Sequence, residues 1–191
     1  MYFRSSAELY GKPVKVIHAG EWHVSNSDEM ILTILGSCVA VCIHDPVNRV
    51  SGMNHFMLPG HISEPDVSGD RTSRYCITAM KILLENLTGI GAERDHLRAS
   101  IFGGGSMTDS STHCTFGDEP LPSQNVRIAK LFLELEDIPL CQDDTGGPYS
   151  RKIFMDVRIG RVYMKRKTGM EDLHSPVFAA ASPPPAAQIP R

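Results

Sequence analysis

The sequence predicts an α/β fold, a single mixed α+β domain with a mixed β-sheet and two main helices. Three observations point there. Short apolar runs of strand length recur along the chain. Two segments switch to a period of three and four residues, as amphipathic helices do. No internal repeat or linker divides residues 14–168, read here as one domain behind a 1–13 extension. With 191 residues and 41% hydrophobic content, the chain is long enough to bury one continuous core.

In order along the chain, "VKVIH" (14–18) alternates enough for a short strand. "ILTILGSCVAVCIH" (31–44) reads as a longer apolar strand or strand pair bent at Gly36, where a strand tolerates a bulge. Asp45-Pro46 and Asn48 mark a turn, so "VSGMNHFML" (50–58) pairs back as a hairpin-like unit, with "HISEPDVSGD" (61–70) as a surface loop after it. From Thr72 the spacing of Ile77, Met80, Leu83, Leu84 and Leu87 predicts a helix, with Thr72 or Ser73 as N-cap and Gly89 just past its end. "LRASIFGGG" (97–105) reads as a strand entering a glycine-rich turn. Val126 to Glu136 reads as a second helix, with Ile128, Leu131, Phe132 and Leu135 on one side. "RKIFMDVRIGRVYMKRK" gives an antiparallel hairpin turning at Gly160, and the Pro/Ala-rich stretch 169–191 reads as a disordered tail.

Net charge is −3 and Lys and Arg are spread along the chain, which argues against a nucleic-acid partner. No apolar run reaches the about 18 residues that span a membrane, and the first residues lack a signal-peptide core. A soluble cytoplasmic protein without membrane insertion is therefore expected. The five cysteines (Cys38, Cys42, Cys76, Cys114, Cys141) form an odd set without a CxxC pair, which suits free thiols in a reducing compartment. No second short-spaced pair joins Cys38 and Cys42, so no metal site is expected.

Directly after the Gly36-Ser37 break comes Cys38. Most strand cysteines are buried and inert, but a sharp turn can aim backbone N–H groups at one spot beside the thiol, as nucleophile turns do in acyl-transfer enzymes. Cys42 has no such bend and reads as packing. A nucleophilic thiol needs a base, since it titrates unaided at about 8.5. Among eight histidines, His55 stands out as a polar residue in an apolar run between Asn54 and Phe56, either as that base or as a core histidine bonded to a carbonyl. His44, at a strand end, is expected to be exposed. His18, His23, His61, His96, His113 and His174 lie in or near loops. "FGGGSM" lacks the Gly-Lys-Ser/Thr ending of a P-loop and reads as a turn near the rim of the site.

"TILGSCVAVCIHDPVNRVSGMNHFMLP" resembles the signature of the CheD family, the chemoreceptor glutamine deamidases of bacterial chemotaxis. The similarity continues through "RYCITAMKILLENLTGIGAERDHLRASIFGGGSM", Asn125 and "DDTGGPYSRKIFMDVRIGRV". The resemblance implies a cysteine hydrolase of the αβ sandwich type, distantly similar to cytotoxic-necrotizing-factor deamidase domains. It carries the nucleophile onto Cys38, the base onto His55 and the group that orients the imidazole onto Thr33. Backbone donors of the turn, around Gly36 and Ser37, would support the oxyanion. Two departures stand out: "EPLPSQNV" replaces the family's Ile-Gly-Glu-Arg-Asn type segment, and "RYC" stands where many members have Arg-Tyr-Gly.

The resemblance further implies a protein-glutamine glutaminase without cofactor or metal, whose substrate is the cytoplasmic helices of methyl-accepting chemoreceptors. A CheC-type phosphatase is a further expected partner. A weakly catalytic or non-catalytic module binding that phosphatase or a receptor is the alternative, and hydrolysis of receptor glutamyl methyl esters would use the same thioester chemistry.

Overall fold

The computed structural model describes residues 11–60, 73–106, 115–116, 119–167 and 179–180. Most of the N-terminal extension, the 61–70 loop, Thr72, and the Pro/Ala-rich tail apart from 179–180 lie outside the described residues. Strands β1 (Val14–Val16), β2 (Trp22–Ser25), β3 (Met30–Leu35), β4 (Val39–Asp45) and β5 (Val50–Asn54) precede helix α1 (Cys76–Gly89). Then come β6 (Arg98–Gly103), the short β7 (Thr115–Phe116) and β8 (Glu119–Pro120), and helix α2 (Leu121–Leu135). Strands β9 (Leu140–Thr145), β10 (Ser150–Asp156), β11 (Val162–Lys167) and β12 (Ala179–Ala180) complete the order.

One five-stranded sheet runs β1-β3-β10-β11-β12 and the other β2-β5-β4-β6-β9, while β7 and β8 pair separately. Both large sheets are mixed: β1–β3 and β6–β9 are parallel, and their other ladders are antiparallel. The period of two in each strand sorts its side chains into layers. Val39, Val41 and Ile43 of β4 join Met80, Leu83, Leu87, Phe132 and Leu133 of the helices in one core, so α1 and α2 cover one face of the second sheet. The alternate residues Ala40 and Cys42 join Ile31, Leu35, Met53, Phe102, Ile153 and Met155 between the sheets. The architecture is a helix–sheet–sheet sandwich.

The apolar run 31–44 differs from the sequence-based expectation. Of its two readings the strand pair is the one present, β3 and β4 broken at residues 36–38; what differs is that the two strands belong to different sheets, so that 36–38 carry the chain from one layer to the other. The hairpin of β4 with β5 is present, Cys42 facing Met53, as is the β10–β11 hairpin turning at Gly160, which has φ 67°. Thr72 lies outside the described residues, and helix α1 starts at Cys76, so its N-cap position falls to Tyr75 and not to Ser73. Its N-cap Tyr75 makes no side-chain cap bond, and Gly89 is its last residue rather than the one beyond. The start is set instead by tertiary pairing, since Tyr75 bridges Leu58 and Cys76 N–H donates to the Leu58 carbonyl.

Helix α2 begins at Leu121, five residues before the expected start, with Pro122 in its first turn, where a missing N–H is harmless. Its buried face is Gln124, Asn125, Ala129, Phe132 and Leu133, whereas Leu135 is 73% exposed. His44 is half-buried, bonded through Nδ1 to the Ser51 hydroxyl, not exposed at a strand end. No helix among the described residues is long and apolar enough to cross a membrane.

Leu83 is fully buried where α1 meets the second sheet. Leu83→Ala should lower stability by about 3 kcal/mol through lost burial and the cavity left behind, read as a shift of the urea midpoint at constant slope.

Candidate active site

Strand alternation places three chemistry-bearing side chains in one layer. Thr33 shares the inward side of β3 with Ile31 and Leu35. Cys38 keeps step with Ala40 and Cys42 and packs against the inter-sheet core. His55 follows directly after β5, one residue past Asn54 rather than in mid-strand, and keeps step with Met53. The ladder continues beyond it, since Val39 and Phe56 exchange hydrogen bonds at 3.1 and 2.9 Å. Asn54 points the other way. Its Oδ1 accepts the Val41 N–H at 2.9 Å and its Nδ2 reaches Met80 Sδ, tying β4, β5 and α1 together under the site.

The Thr33 hydroxyl donates to the Ile17 carbonyl at 2.8 Å, and the same oxygen lies 2.8 Å from His55 Nδ1. A hydroxyl has one hydrogen, and a carbonyl can only accept it. Toward the imidazole, Thr33 must therefore be the acceptor, so Nδ1 carries the ring proton and Nε2 the lone pair. That Nε2 is buried and without a hydrogen-bond partner among the described residues. His55 is held on both sides by backbone: its N–H donates to the Glu21 carbonyl at 2.9 Å and its carbonyl accepts the Gly20 N–H at 2.7 Å. Burial pushes its pKa down to about 4, helped by His18 and opposed by Glu21.

Cys38 and His55 line one cleft of about 420 Å³, whose other walls are Val16, Ile17, His18, Ala19, Leu32, Thr33 and Ile34. Cys38 is half-buried. Burial raises its thiol pKa, while the Ser37 hydroxyl and its own backbone N–H oppose that rise. At neutral pH the site thus holds a neutral thiol and a neutral imidazole. Cys42 is fully buried in the inter-sheet core and its thiol is pushed strongly up by burial alone, as inert packing requires. Among the described residues no three His, Cys, Asp or Glu side chains are gathered as a metal would need.

The turn at 36–38 is clamped by the glycine run that follows β6. Gly104 N–H donates to the Cys38 carbonyl at 2.8 Å and Gly105 N–H to the Gly36 carbonyl at 2.9 Å. Gly103 has φ 113°, and a Cβ there would lie 2.1 Å from the Cys38 carbonyl oxygen, a contact no side chain tolerates. The backbone N–H groups of Ser37 and Cys38 donate to no backbone carbonyl among the described residues.

Of the residues singled out from sequence, Thr33, His55 and Cys38 come together, with Gly36 and Ser37 forming the turn. His18, set aside as a loop residue, lines the cleft. Asn125 lies outside the cleft: its Nδ2 donates to the Met57 carbonyl at 2.7 Å, tethering the segment just after His55 to α2. The Gly103–Gly105 clamp was legible only as a turn, because nothing in "FGGGSM" says which carbonyls it would meet.

The buried imidazole makes stability depend on pH. The unfolded ring titrates near 6.5 and the folded one near about 4, so the unfolded state binds more protons across that interval. This contribution, about 3 kcal/mol, is full above pH 6.5 and is lost as the pH falls toward 4. Urea midpoints measured over that range should fall more steeply for the wild type than for His55→Gln; equal slopes would contradict a buried neutral ring. Thr33→Val leaves two buried polar groups without a partner and should cost about 2 kcal/mol, read in the same titration at pH 7.

Comparison with known proteins places the chain in a family. The family model described as CheD, chemotactic sensory transduction, matches residues 57–166. The protein from Sinorhizobium medicae (strain WSM419) named probable chemoreceptor glutamine deamidase CheD is 42% identical over 167 residues, covering 87% of this chain and 86% of its own. Its namesake from Rhizobium rhizogenes is 43% identical over 165 residues, covering 86% and 85%. One from Laribacter hongkongensis is 35% identical over 147 residues, covering 77% and 69%. With the family model matched over more than half of its length and relatives this similar along most of it, the chain belongs to the CheD family.

Proposed function

We propose that the protein is a chemoreceptor glutamine deamidase that uses Cys38 as nucleophile, His55 as general base and acid, and Thr33 to orient the imidazole. The observation that carries this reading is the Thr33–His55 hydrogen bond, which reserves Nε2 as a proton acceptor in the cleft that Cys38 also lines. The relatives are named as probable chemoreceptor glutamine deamidases, which supports the same reaction.

In the proposed mechanism a receptor glutamine enters with its methylenes against Val16, Ile17, Leu32 and Ile34 and its amide at Cys38. His55 Nε2 takes the thiol proton as Sγ attacks the amide carbon. Charge gathers on the amide oxygen, where the backbone N–H groups of Ser37 and Cys38 receive it. The imidazolium then gives its proton to the leaving nitrogen, ammonia departs, and a thioester remains. Water attacks the thioester carbon and loses a proton to Nε2. The thiolate leaves and is reprotonated, giving glutamate and the free enzyme. Thr33 keeps the ring in one tautomer through both halves, as the third member of other triads does. No cofactor enters these steps. The substrate helices are those on the cytoplasmic side of the receptor, which would place the enzyme in the cytoplasm. A CheC-type phosphatase is a further proposed partner on the family resemblance, tested separately by pull-down with Cys38→Ala.

Incubation of a receptor cytoplasmic fragment with the protein should convert specific glutamines to glutamates, read by peptide mass spectrometry. Cys38→Ala should abolish the conversion, and a retained activity would remove Cys38 from its role. His55→Gln should keep the fold and lower kcat by about 10²–10⁴. The acid limb of the kcat/KM profile should fall near pH 4, below that of an ordinary histidine, because that limb reports the ring in the free enzyme.

A further inference from the structure

Arg151 is 0% exposed and is among the largest fully buried side chains of the described structure. It stands on β10 directly opposite Leu35, the residue before Gly36. A buried guanidinium costs several kcal/mol in desolvation, and a well-packed apolar side chain of similar volume often serves stability as well. What sets this one apart is where its donors go. Nε donates to Asp144 Oδ1 at 2.8 Å, Nη2 to the Gly146 carbonyl at 2.6 Å and Nη1 to the Tyr149 carbonyl at 3.3 Å. Its guanidinium also lies 4.6 Å from the centre of the Tyr149 ring. Arg166 lies 4.8 Å from that ring and shares Asp144 through its second oxygen. Burial works against the Asp144 carboxylate, yet the hydrogen bonds from Arg166 and Arg151 outweigh it and hold the carboxyl below its ordinary range.

The two carbonyls bound by Arg151 belong to the turn at 146–149, and that turn is the neighbour of the glycine run. Gly146 N–H donates to the Gly103 carbonyl at 2.9 Å and Ser106 N–H to the Gly147 carbonyl at 2.9 Å. Gly105 sits between the two structures: a Cβ on it would meet the Tyr149 carbonyl oxygen at 2.7 Å, the Gly36 oxygen at 3.2 Å and the Gly147 oxygen at 3.3 Å. The same run donates to the carbonyls of Gly36 and Cys38. A continuous path of backbone hydrogen bonds therefore leads from the buried fork, through the 146–149 turn and residues 103–106, to both ends of the turn that bears the thiol.

We propose that Arg151 is a positioning residue for the nucleophile. Its planar fork fixes the 146–149 turn, and that turn, through the 103–106 backbone, fixes the direction of the Gly36–Cys38 peptides and so the aim of Sγ and of the Ser37 and Cys38 N–H groups. The inference rests on Cys38 being the nucleophile of the proposed deamidation. A lysine cannot replace the arginine, because an ammonium is a point donor without a fork that spans a carboxylate and two carbonyls at once. Asp144 supports the fork from the other side and should act in the same direction with smaller effect.

The test uses the full chain with Arg151→Lys and, as the milder variant that keeps every side-chain volume, Asp144→Asn. Alkylation of Cys38 by iodoacetamide is followed by peptide mass spectrometry from pH 6 to 10, with Cys141 of the same molecules as the internal reference. A loosened turn withdraws the Ser37 hydroxyl and the Cys38 N–H from the sulfur, so the midpoint of the Cys38 pH–rate profile should move upward. On a receptor fragment, kcat should fall by about tenfold or more with KM held within about twofold, as misaimed reacting atoms require. Gly105→Ala cuts the same path, so its loss of kcat combined with Arg151→Lys should be smaller than the product of the two single losses. Variants that melt earlier yet keep the wild-type Cys38 profile would overturn the proposal, as would faster alkylation at every pH with an unmoved midpoint, which reports exposure alone. If the wild type modifies no receptor glutamine while the Cys38 midpoint still shifts in both variants, the deamidase function fails and the positioning role stands.

Discussion

Three residues, Gly36, Ser37 and Cys38, carry the chain between two stacked sheets, which in general pack about 10 Å apart. Strands β3 and β4 are neighbours in sequence, yet they belong to different layers of the sandwich. So short a passage cannot satisfy its own backbone: the carbonyls of Gly36 and Cys38 are taken by Gly105 and Gly104, while the N–H groups beside the sulfur find no carbonyl among the described residues. The thiol stands where regular structure gives out. A cysteine further along β4 shows the contrast, for Cys42 has the same inward direction but full ladder pairing and complete burial.

The electrostatics of the cleft follow from the same layering. Thr33 and His55 meet between the sheets, where burial disfavours charge, so the imidazole rests neutral and the thiol rests protonated. Under the proposed mechanism the proton moves only as the substrate carbonyl arrives and the oxyanion donors are engaged, which protects a half-buried thiol from incidental oxidation. The single hydroxyl hydrogen of Thr33, given to Ile17, makes this arrangement directional, since the ring can then accept a proton only at Nε2.

Buried and half-buried polar groups support this small centre. Asn54 ties β4 to β5 and α1, Asn125 ties Met57 to α2, and Arg151 with Asp144 ties the 146–149 turn to β10. Asn54 and Asn125 bond backbone groups within three residues of Cys38 or of His55, and Arg151 bonds the carbonyls of Gly146 and Tyr149. Glycine does the complementary work where side chains would intrude, most sharply at Gly103 beneath the Cys38 carbonyl.

What the sequence by itself determined is local. The break at Gly36-Ser37 inside an apolar run, the polar His55 where an apolar residue belongs, and the periods of the strands and of both helices are properties of neighbouring residues, so they were readable without coordinates. The helix starts were not, because Tyr75 and Cys76 are fixed by pairing with Leu58 rather than by a capping side chain. Nor was the membership of β3 and β4 in separate sheets, since one apolar run is compatible with a bulge, a hairpin or a crossing. Tertiary structure alone decided that Thr33 bonds His55 across 22 residues of sequence, that His18 lines the cleft, that Gly104 and Gly105 bond the carbonyls of the thiol turn, and that Arg151 bonds the 146–149 turn beside them. The physical reason is common to all of them: a hydrogen bond between distant residues depends on which sheets stack and in what register, and no local preference encodes that.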